Sequence, residues 1–169
     1  MKFISLIGYS GSGKTHFITT AINRLKSSLD LSIIVIKNVH IHSVDTPGKD
    51  SFEFSNAGAD FSIIKNKNDE IAIFFKKNMS LEKIIDWISK LLDNIDLVFF
   101  EGFRGLKVPG VLCAKNFEEI EPQLNSNIKM ISGLISNKKE RENLVKKIPI
   151  INIESEFERF LEIFAIQKY

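Results

Sequence analysis

The sequence predicts an α/β fold built on a mostly parallel sheet, and three observations support this prediction. The apolar run Lys2–Ile7 has the length of a buried strand, and a helical pattern of apolar residues extends from Thr15 to Ser28. The segment Leu31–Lys37 contains a continuous β-branched run, which is typical of a strand buried on both faces. Strand, helix and strand in this order form a βαβ unit, which implies parallel strands with a right-handed crossover.

A glycine-rich segment, Gly8–Thr15, joins the first strand to the first helix and fits the phosphate-binding pattern Gly-x-x-x-x-Gly-Lys-Ser/Thr. Glycines allow positive φ angles and a close approach of the backbone, so that consecutive N–H groups can surround an anion. The Lys14 ammonium can reach the outer phosphates of a nucleotide, and the Thr15 hydroxyl can ligate Mg²⁺. The residues that we expect to bind the nucleotide are Ser10, Gly11, Ser12, Gly13, Lys14, Thr15 and His16.

Composition limits the kind of protein and its partners. The chain has 169 residues, of which 44% are hydrophobic and 26% charged, as in an ordinary globular protein. The net charge of +2 does not indicate binding to nucleic acid or to a membrane surface. Cys113 is alone, so that an internal disulfide is impossible, and no apolar run approaches the ~20 residues of a transmembrane helix. We expect one nucleotide-binding domain over residues 1–169, located in the cytoplasm.

Further elements follow from periodicity and turn residues. Asp50 opens a capping box that predicts a short helix ending at Gly58. Two apolar runs around a polar turn predict a hairpin, which would make part of the sheet antiparallel. The remaining predicted elements are the strands Phe61–Ile64, Ile71–Phe75, Asp96–Gly102, Val111–Ala114, Ile128–Ile135 and Ile148–Ile153, and the helices Ser80–Leu92, Lys138–Lys147 and Glu154–Ile166.

Two carboxylates on the strand Asp96–Gly102 are candidates for the Mg²⁺ ligand that accompanies a phosphate loop. Asp96 and Glu101 lie ~16 Å apart along an extended strand, and the Glu101 end is level with the phosphate loop. We therefore predict that Glu101 binds the metal. The alternative is that Glu101 hydrogen-bonds backbone at the end of the strand.

The polar connection after the second strand, Asn38–Lys49, is expected to face the ligand crevice. Asp45 can hold Mg²⁺ through water or orient an attacking water, and Lys49 can neutralise a phosphate oxygen. The alternative for both residues is a solvated loop charge. His40 and His42 form only a two-ligand set, which favours polar loop residues over a metal site.

The segment that begins at Asn137 has the outline of a guanine-reading motif, with Lys138 beside the base and Glu140 in the place of the usual Asp. The same residues also fit a helix capping box, because Glu140 follows Asn137 by three positions. We favour the cap, while Asn137 and Lys138 remain possible base-binding residues.

Three cations suggest a second anion site beyond the nucleotide. Lys49 precedes a predicted helix start, and Arg104 and Lys107 follow the strand that ends at Glu101. The alternative is that all three are solvated surface charges.

Together these motifs resemble the MobB family, the accessory GTP-binding proteins of molybdopterin-guanine dinucleotide biosynthesis. Asn38 departs from the histidine often seen at its position in that family. The resemblance covers roughly the first 104 residues. The segments that carry it are Gly8–Thr15, Ile36-Lys37 with His40, Asp45–Ser51 running on to Ala57-Gly58-Ala59, and Asp96–Arg104.

This resemblance implies a three-layer P-loop NTPase fold of the SIMIBI GTPase-like kind, usually dimeric, that binds GTP with Mg²⁺ and hydrolyses it slowly. It implies that Thr15 and Glu101 serve the metal, and that Asp45 and Lys49 lie near the γ-phosphate or a second anion. The implied partners are MobA, the guanylyltransferase that joins GMP to molybdopterin, and molybdopterin itself, whose terminal phosphate is the candidate second anion.

Two other functions use the same phosphate loop. A small-molecule kinase would need a mobile basic lid, and the sequence has no arginine-rich insertion. A non-catalytic module would change its affinity for a partner on binding GTP, with negligible hydrolysis.

Overall fold

The computed structural model describes residues 1–92, 94–138 and 144–167. They group into two compact units, Met1–Asn38 with the described part of Asp93–Tyr169, and Val39–Leu92. A single folding domain stays a prediction from chain length. The elements in chain order are β1 (Lys2–Ile7), α1 (Lys14–Leu29), β2 (Ile33–Lys37), α2 (Asp50–Asn56), β3 (Phe61–Lys65), β4 (Ile71–Phe75), α3 (Leu81–Leu91), β5 (Leu97–Glu101), β6 (Gly110–Cys113), β7 (Ile128–Ser132), β8 (Leu144–Val145), β9 (Ile148–Pro149) and α4 (Phe157–Ile163).

A five-stranded sheet in the order β2-β5-β1-β6-β7 forms the first unit. Each neighbouring pair is parallel, which confirms the predicted α/β fold with a parallel sheet. The strand order is not the chain order, since β5 lies between β1 and β2. The carboxyl ends of these three strands therefore meet at one edge of the sheet, where ligands bind in open α/β folds.

Side chains that alternate along the strands pack into two apolar clusters, one on each face of the sheet. On one face, Leu6 packs with residues of α1 and α4, and the rings of Phe17 and Phe160 meet edge to face at 5.6 Å. On the other face, Ile7 packs with residues around short 3₁₀ helices, among them Ile120 and Ile135. This arrangement gives the three layers that the sequence predicts.

The edge strand β2 differs from its prediction. Its β-branched run predicted burial on both faces, but Val35 is 41% exposed and no residue of the strand is fully buried. The reason is position, because β2 pairs with β5 alone and is the last strand on its side of the sheet.

The C-terminal third also departs from the predicted order. A helix was predicted over Lys138–Lys147, but its last residues belong to a tight hairpin of β8 and β9. Lys146 and Lys147 form the turn of this hairpin and have positive φ angles. Residues 139–143 lie outside the described part of the chain. The predicted strand Ile148–Ile153 is shorter, continuing only as a bridge from Ile150 to Ile131, and α4 starts at Phe157 rather than Glu154.

In the second unit the predicted hairpin is confirmed, with β3 and β4 antiparallel. It is a separate two-stranded sheet, so the prediction that part of the main sheet is antiparallel is wrong. The cap of α2 is also different, because Lys49 is the N-cap without a side-chain hydrogen bond and Asp50 is already helical. The cap of α3 is as expected, since the Ser80 hydroxyl accepts from the Lys83 N–H at 3.4 Å.

None of the helices within residues 1–92, 94–138 and 144–167 is both long enough and apolar enough to cross a bilayer.

Candidate phosphate-binding site

The glycines of the loop between β1 and α1 adopt backbone conformations that other residues rarely take. Gly11 and Gly13 have φ angles of 71° and 96°. At Gly8 the constraint is also steric, because a Cβ there would lie 2.2 Å from the carbonyl oxygen of Cys113 and 2.6 Å from the Ser12 hydroxyl. The loop therefore needs glycine both for its turns and for its packing against the end of β6.

Lys14 is held at this loop by its own backbone. Its Nζ donates to the carbonyl oxygens of Gly8 at 2.9 Å and Tyr9 at 2.8 Å. Burial lowers the pKa of Lys14, an effect that the nearby Glu101 carboxylate opposes. The loop thus carries a fixed and partly desolvated positive charge at the start of α1, a position suited to an anion.

Glu101 lies at the edge of the sheet next to this loop. It ends β5, is 6% exposed, and is the Cα partner of Leu6 in β1, two residues before Gly8. Asp96 lies at the opposite end of β5, where its carboxylate accepts from the Ser32 N–H at 2.7 Å. The geometry agrees with the sequence argument that Glu101, and not Asp96, is level with the phosphate loop.

An open cavity of roughly 320 Å³ joins the loop to Glu101. Sequence reasoning missed one of its lining residues, Lys37, whose Nζ lies 3.2 Å from a Glu101 carboxylate oxygen. Ser12 is predicted for this site but is fully buried beneath it, with no hydrogen-bond partner for its hydroxyl among the described residues. The lining residues are Ser10, Gly11, Gly13, Lys14, Thr15, His16, Lys37 and Glu101.

The donors in this cavity fit Mg²⁺. Thr15 offers an exposed hydroxyl and Glu101 a buried carboxylate, and Mg²⁺ prefers such hard oxygen ligands while keeping waters and substrate phosphates. Among the described residues, no cluster of three or more His, Cys, Asp and Glu side chains can hold a metal by itself.

Of the predicted base-binding residues, Asn137 lines a small cavity beside the phosphate loop, together with Gly13 and His16. Asn137 ends a 3₁₀ helix, and its Oδ1 accepts from Nδ2 of Asn152 at 2.7 Å. Asn152 was not predicted as a site residue. It belongs to the same turn as Glu154, whose carboxylate lies 2.9 Å from Nε2 of His16. Lys139 and Glu140 lie outside the described residues, so the choice between a guanine-reading motif and a capping box stays open.

Arg104 lies beside the phosphate loop, with its guanidinium 5.3 Å from the centre of the Tyr9 ring. Lys107, three residues further on, is exposed. Lys49 is exposed in the second unit, so a convergence of these three cations on one anion stays a prediction.

Asp45, also in the second unit, is not a solvated loop charge. It is 6% exposed, and its Oδ1 accepts from the Thr46 N–H and the Ser51 hydroxyl, both at 2.9 Å. These bonds tie the Asp45 loop to the first turn of α2. Its other oxygen, Oδ2, has no hydrogen-bond partner among the described residues.

The protein has the architecture of the P-loop NTPase class. A glycine loop joins the first strand of a parallel sheet to the first helix, a lysine lies in this loop, and an acid ends the neighbouring strand. The family model of molybdopterin guanine dinucleotide synthesis protein B, MobB, matches residues 3–137. The chain belongs to this family, as its motifs predicted.

Named relatives and solved structures agree with this assignment. A putative molybdopterin-guanine dinucleotide biosynthesis adapter protein from Methanocaldococcus jannaschii is 36% identical over 121 residues, which are 69% of this chain and 48% of that protein. The adapter protein from Haemophilus influenzae is 34% identical over 115 residues, 66% of this chain and 62% of that protein. The chain thus spans only about half to three fifths of the length of these curated relatives.

The crystal structure of Bacillus subtilis MobB has the same fold, with a TM-score of 0.78 at 22% identity over the whole of both chains. A structure described as molybdopterin-guanine biosynthesis protein B matches with a TM-score of 0.64 at 27% identity over 96% of each chain.

Proposed function

We propose that this protein binds GTP with Mg²⁺ at its phosphate loop and acts as an accessory protein in molybdopterin guanine dinucleotide formation, where it assists the guanylyltransferase MobA. The observation that supports nucleotide binding best is the cavity that brings together Lys14, Thr15 and Glu101. The biosynthetic role is supported by family membership and by the adapter names of the relatives from M. jannaschii and H. influenzae.

In this proposal the backbone N–H groups from Gly11 to Thr15 and the Lys14 ammonium bind the phosphates. The Thr15 hydroxyl and the Glu101 carboxylate hold Mg²⁺, which neutralises charge on the phosphate oxygens. Glu101 is the one carboxylate that lines the cavity. Because the metal would occupy it, the described lining of the cavity offers no second carboxylate to orient an attacking water, and that role is left to Asp45. Slow hydrolysis is proposed from the family resemblance.

The choice of guanine over adenine is proposed from the family resemblance and from the neighbourhood of Asn137. The Asn137–Asn152 pair offers amide groups that can hydrogen-bond a base edge, and Lys138 follows directly. Asp45 and Lys49 keep their proposed roles near the γ-phosphate or a second anion.

The direct test is titration of the purified protein with GTP and ATP, each in Mg²⁺ and in EDTA, by calorimetry. We expect tighter binding of GTP than ATP and a gain in affinity with Mg²⁺. MobA is then assayed for guanylyl transfer with and without this protein, using Lys14→Ala as the control that is expected to lose most of its affinity for GTP. Failure of the wild-type protein to bind either nucleotide contradicts the proposal, and equal stimulation by Lys14→Ala contradicts a nucleotide-dependent role.

We also propose that the protein forms a homodimer through an apolar surface of the second unit, the hairpin–α3 face. The register of the hairpin puts Phe61, Ile63, Ile73 and Phe75 on one side, and all four are at least two-fifths exposed. They line a cavity of roughly 540 Å³ together with Ile84 and Trp87 of α3. A two-stranded sheet is marginally stable by itself, so this surface needs a cover.

A second copy of the chain fits this face in charge and in size. The ion pairs Lys77–Asp60 and Lys65–Asp69 neutralise its surroundings, so two identical faces do not repel each other. Its half-exposed aromatic and aliphatic side chains offer on the order of 500 Å², a large share of the ~800 Å² per partner in a stable interface.

Sedimentation analysis of Ile63→Glu tests this interface, with Ile41→Glu as the control. Ile41 is 85% exposed on the loop before α2 and lies outside the hairpin–α3 face. We expect the wild-type protein and Ile41→Glu to be dimers and Ile63→Glu to be a monomer. A dimeric Ile63→Glu, or a monomeric wild-type protein, would contradict this interface.

A further inference from the structure

Lys37 is a cation of the phosphate-loop cavity that the P-loop motif does not assign. It ends β2, and its Cα partner in the parallel register is Glu101, the last residue of β5. Glu101 is also paired with Leu6 of β1, which leads into the phosphate loop. The carboxylate therefore lies between the phosphate loop on one side and Lys37 on the other.

The two members of this ion pair differ in freedom. The Glu101 side chain is 8% exposed and held inside the edge of the sheet, whereas the Lys37 side chain is 52% exposed and lies 3.2 Å from it. A carboxylate as buried as Glu101 is costly without a compensating charge. Lys37 supplies that charge from an edge strand, on a flexible stem that can move within the open cavity.

Lys14, the other lysine of the cavity, also attracts Glu101 but is not free to move. Lys14 already donates to the carbonyl oxygens of Gly8 and Tyr9, which fix its ammonium at the loop. Lys37 contacts the same carboxylate that a metal ion would need. Since two cations at one carboxylate repel each other, occupancy of Glu101 by a metal favours release of the Lys37 ammonium.

We propose that Lys37 is a movable counter-ion of the nucleotide site, which neutralises Glu101 until Mg²⁺ takes that carboxylate and then pairs with the terminal phosphate of the nucleotide. The inference rests on the proposed function, because it requires Glu101 to be a metal ligand. It assigns to Lys37 a role in coupling metal binding to recognition of the third phosphate.

The first test needs no nucleotide. Thermal unfolding in EDTA is compared for wild type, Lys37→Met, Lys37→Arg, Glu101→Gln and the double variant Lys37→Met/Glu101→Gln. Lys37→Met removes the ion-pair partner of the buried Glu101 carboxylate, so its Tm should fall by roughly 2–4 °C, and the double variant should recover most of that loss. Lys37→Arg keeps the charge and should stay near wild type.

A matched control is Lys146→Met, which removes a lysine of similar exposure, 62%, from an ion pair with Glu121 outside the cavity. Its Tm should not respond to Glu101→Gln. If Lys37→Met melts at the wild-type temperature, or if its effect adds to that of Glu101→Gln, then Lys37 does not compensate Glu101 and the inference is overturned.

The second test measures competition with the metal. The Kd of GDP, which has no third phosphate, is measured at increasing Mg²⁺ concentrations, and the midpoint is the concentration at which half of the change in Kd is reached. In Lys37→Met the ammonium that competes with Mg²⁺ for Glu101 is absent, so the midpoint should lie at a roughly two- to fivefold lower Mg²⁺ concentration. A change of this size is expected for the loss of a half-exposed ion pair. At saturating Mg²⁺ the same variant should lose preference for GTP over GDP, whereas Lys37→Arg should keep it.

The results separate this inference from the proposed function. A wild-type protein that binds no nucleotide contradicts the proposed function. Wild-type binding that depends on Mg²⁺, with an unchanged midpoint and an unchanged preference for GTP in Lys37→Met, overturns only the role of Lys37.

Discussion

Replacing one carboxylate at each end of β5 tests which end of this strand serves the metal. Glu101→Gln removes the negative charge from the cavity while keeping the size of the side chain and an oxygen that can accept from Lys37. Asp96→Asn removes a charge of the same kind from the far end, where an amide oxygen can still accept from the Ser32 N–H. The two variants therefore make matched changes to a single strand.

The expected magnitudes follow from burial and partners. Glu101 is 6% exposed, so its interaction with a cation is little screened by water. Interactions of charged groups contribute about 1.5–3 kcal/mol, so Glu101→Gln should reduce the gain in GTP affinity from Mg²⁺ by roughly ten- to hundredfold. Asp96→Asn should weaken one hydrogen bond near the start of β5, lower stability by about 1 kcal/mol, and leave the Mg²⁺ effect unchanged.

Calorimetric titration of GTP in Mg²⁺ and in EDTA gives the Mg²⁺ effect for each variant, and thermal unfolding checks that each is folded. Loss of Mg²⁺ dependence in Asp96→Asn would refute the reasoning, because the register places Asp96 at the opposite end from the phosphate loop. Full Mg²⁺ dependence in Glu101→Gln would refute it as well, since no other carboxylate among the described residues lines the cavity.

Three further predictions concern single side chains. Lys14→Ala should fold but lose most of its affinity for GTP, which calorimetry measures, because two loop carbonyls are its only hydrogen-bond partners among the described residues. The double variant Lys49→Ala/Arg104→Ala should weaken molybdopterin binding or MobA stimulation more than GTP binding; equal losses would mean that both side chains serve the nucleotide. Burial raises the pKa of the Cys113 thiol from 9.0 to about 12, so the unfolded chain loses this proton first and stability should fall as pH rises above about 9. The free energy of unfolding of the wild-type protein and of Cys113→Ala is measured by chemical denaturation across pH 8 to 10. If it falls equally steeply with pH in both proteins, the prediction is wrong.

The elements that sequence reasoning predicted well are those whose signals are local. The phosphate loop combines a motif with a strand before it and a helix after it, and the structure has both. The position of Glu101, rather than Asp96, beside the phosphate loop followed from the length of an extended strand and the rule that ligands gather at carboxyl ends, while its role as a metal ligand stays a prediction. The Ser80 cap and the pairing of β3 with β4 are likewise encoded within a few residues.

Two of the failures concern where an element lies, and a third concerns the type of element. The β-branched run of β2 predicts a strand, but its apolar content does not reveal that the strand is at the edge of the sheet. The turn between β3 and β4 fixes their pairing, whereas the sheet that a hairpin joins depends on the rest of the fold. At Lys146 and Lys147, positive φ angles close a hairpin in a charged stretch whose composition favoured a helix.

Lys37 shows how strand order decides the composition of a site. If consecutive strands were neighbours, β2 would lie directly beside β1, and the lysine at its end would contact the phosphate loop without an intervening acid. The observed order inserts β5 between them, so that Glu101 is shared by the loop on one side and by Lys37 on the other. Sequence motifs identify the loop and the acid separately, since each carries its own pattern. The position of Lys37 beside Glu101 depends on the order of the strands, because β5 lies between β1 and β2. Lys37 can therefore be recognised as part of this site only once that order is known.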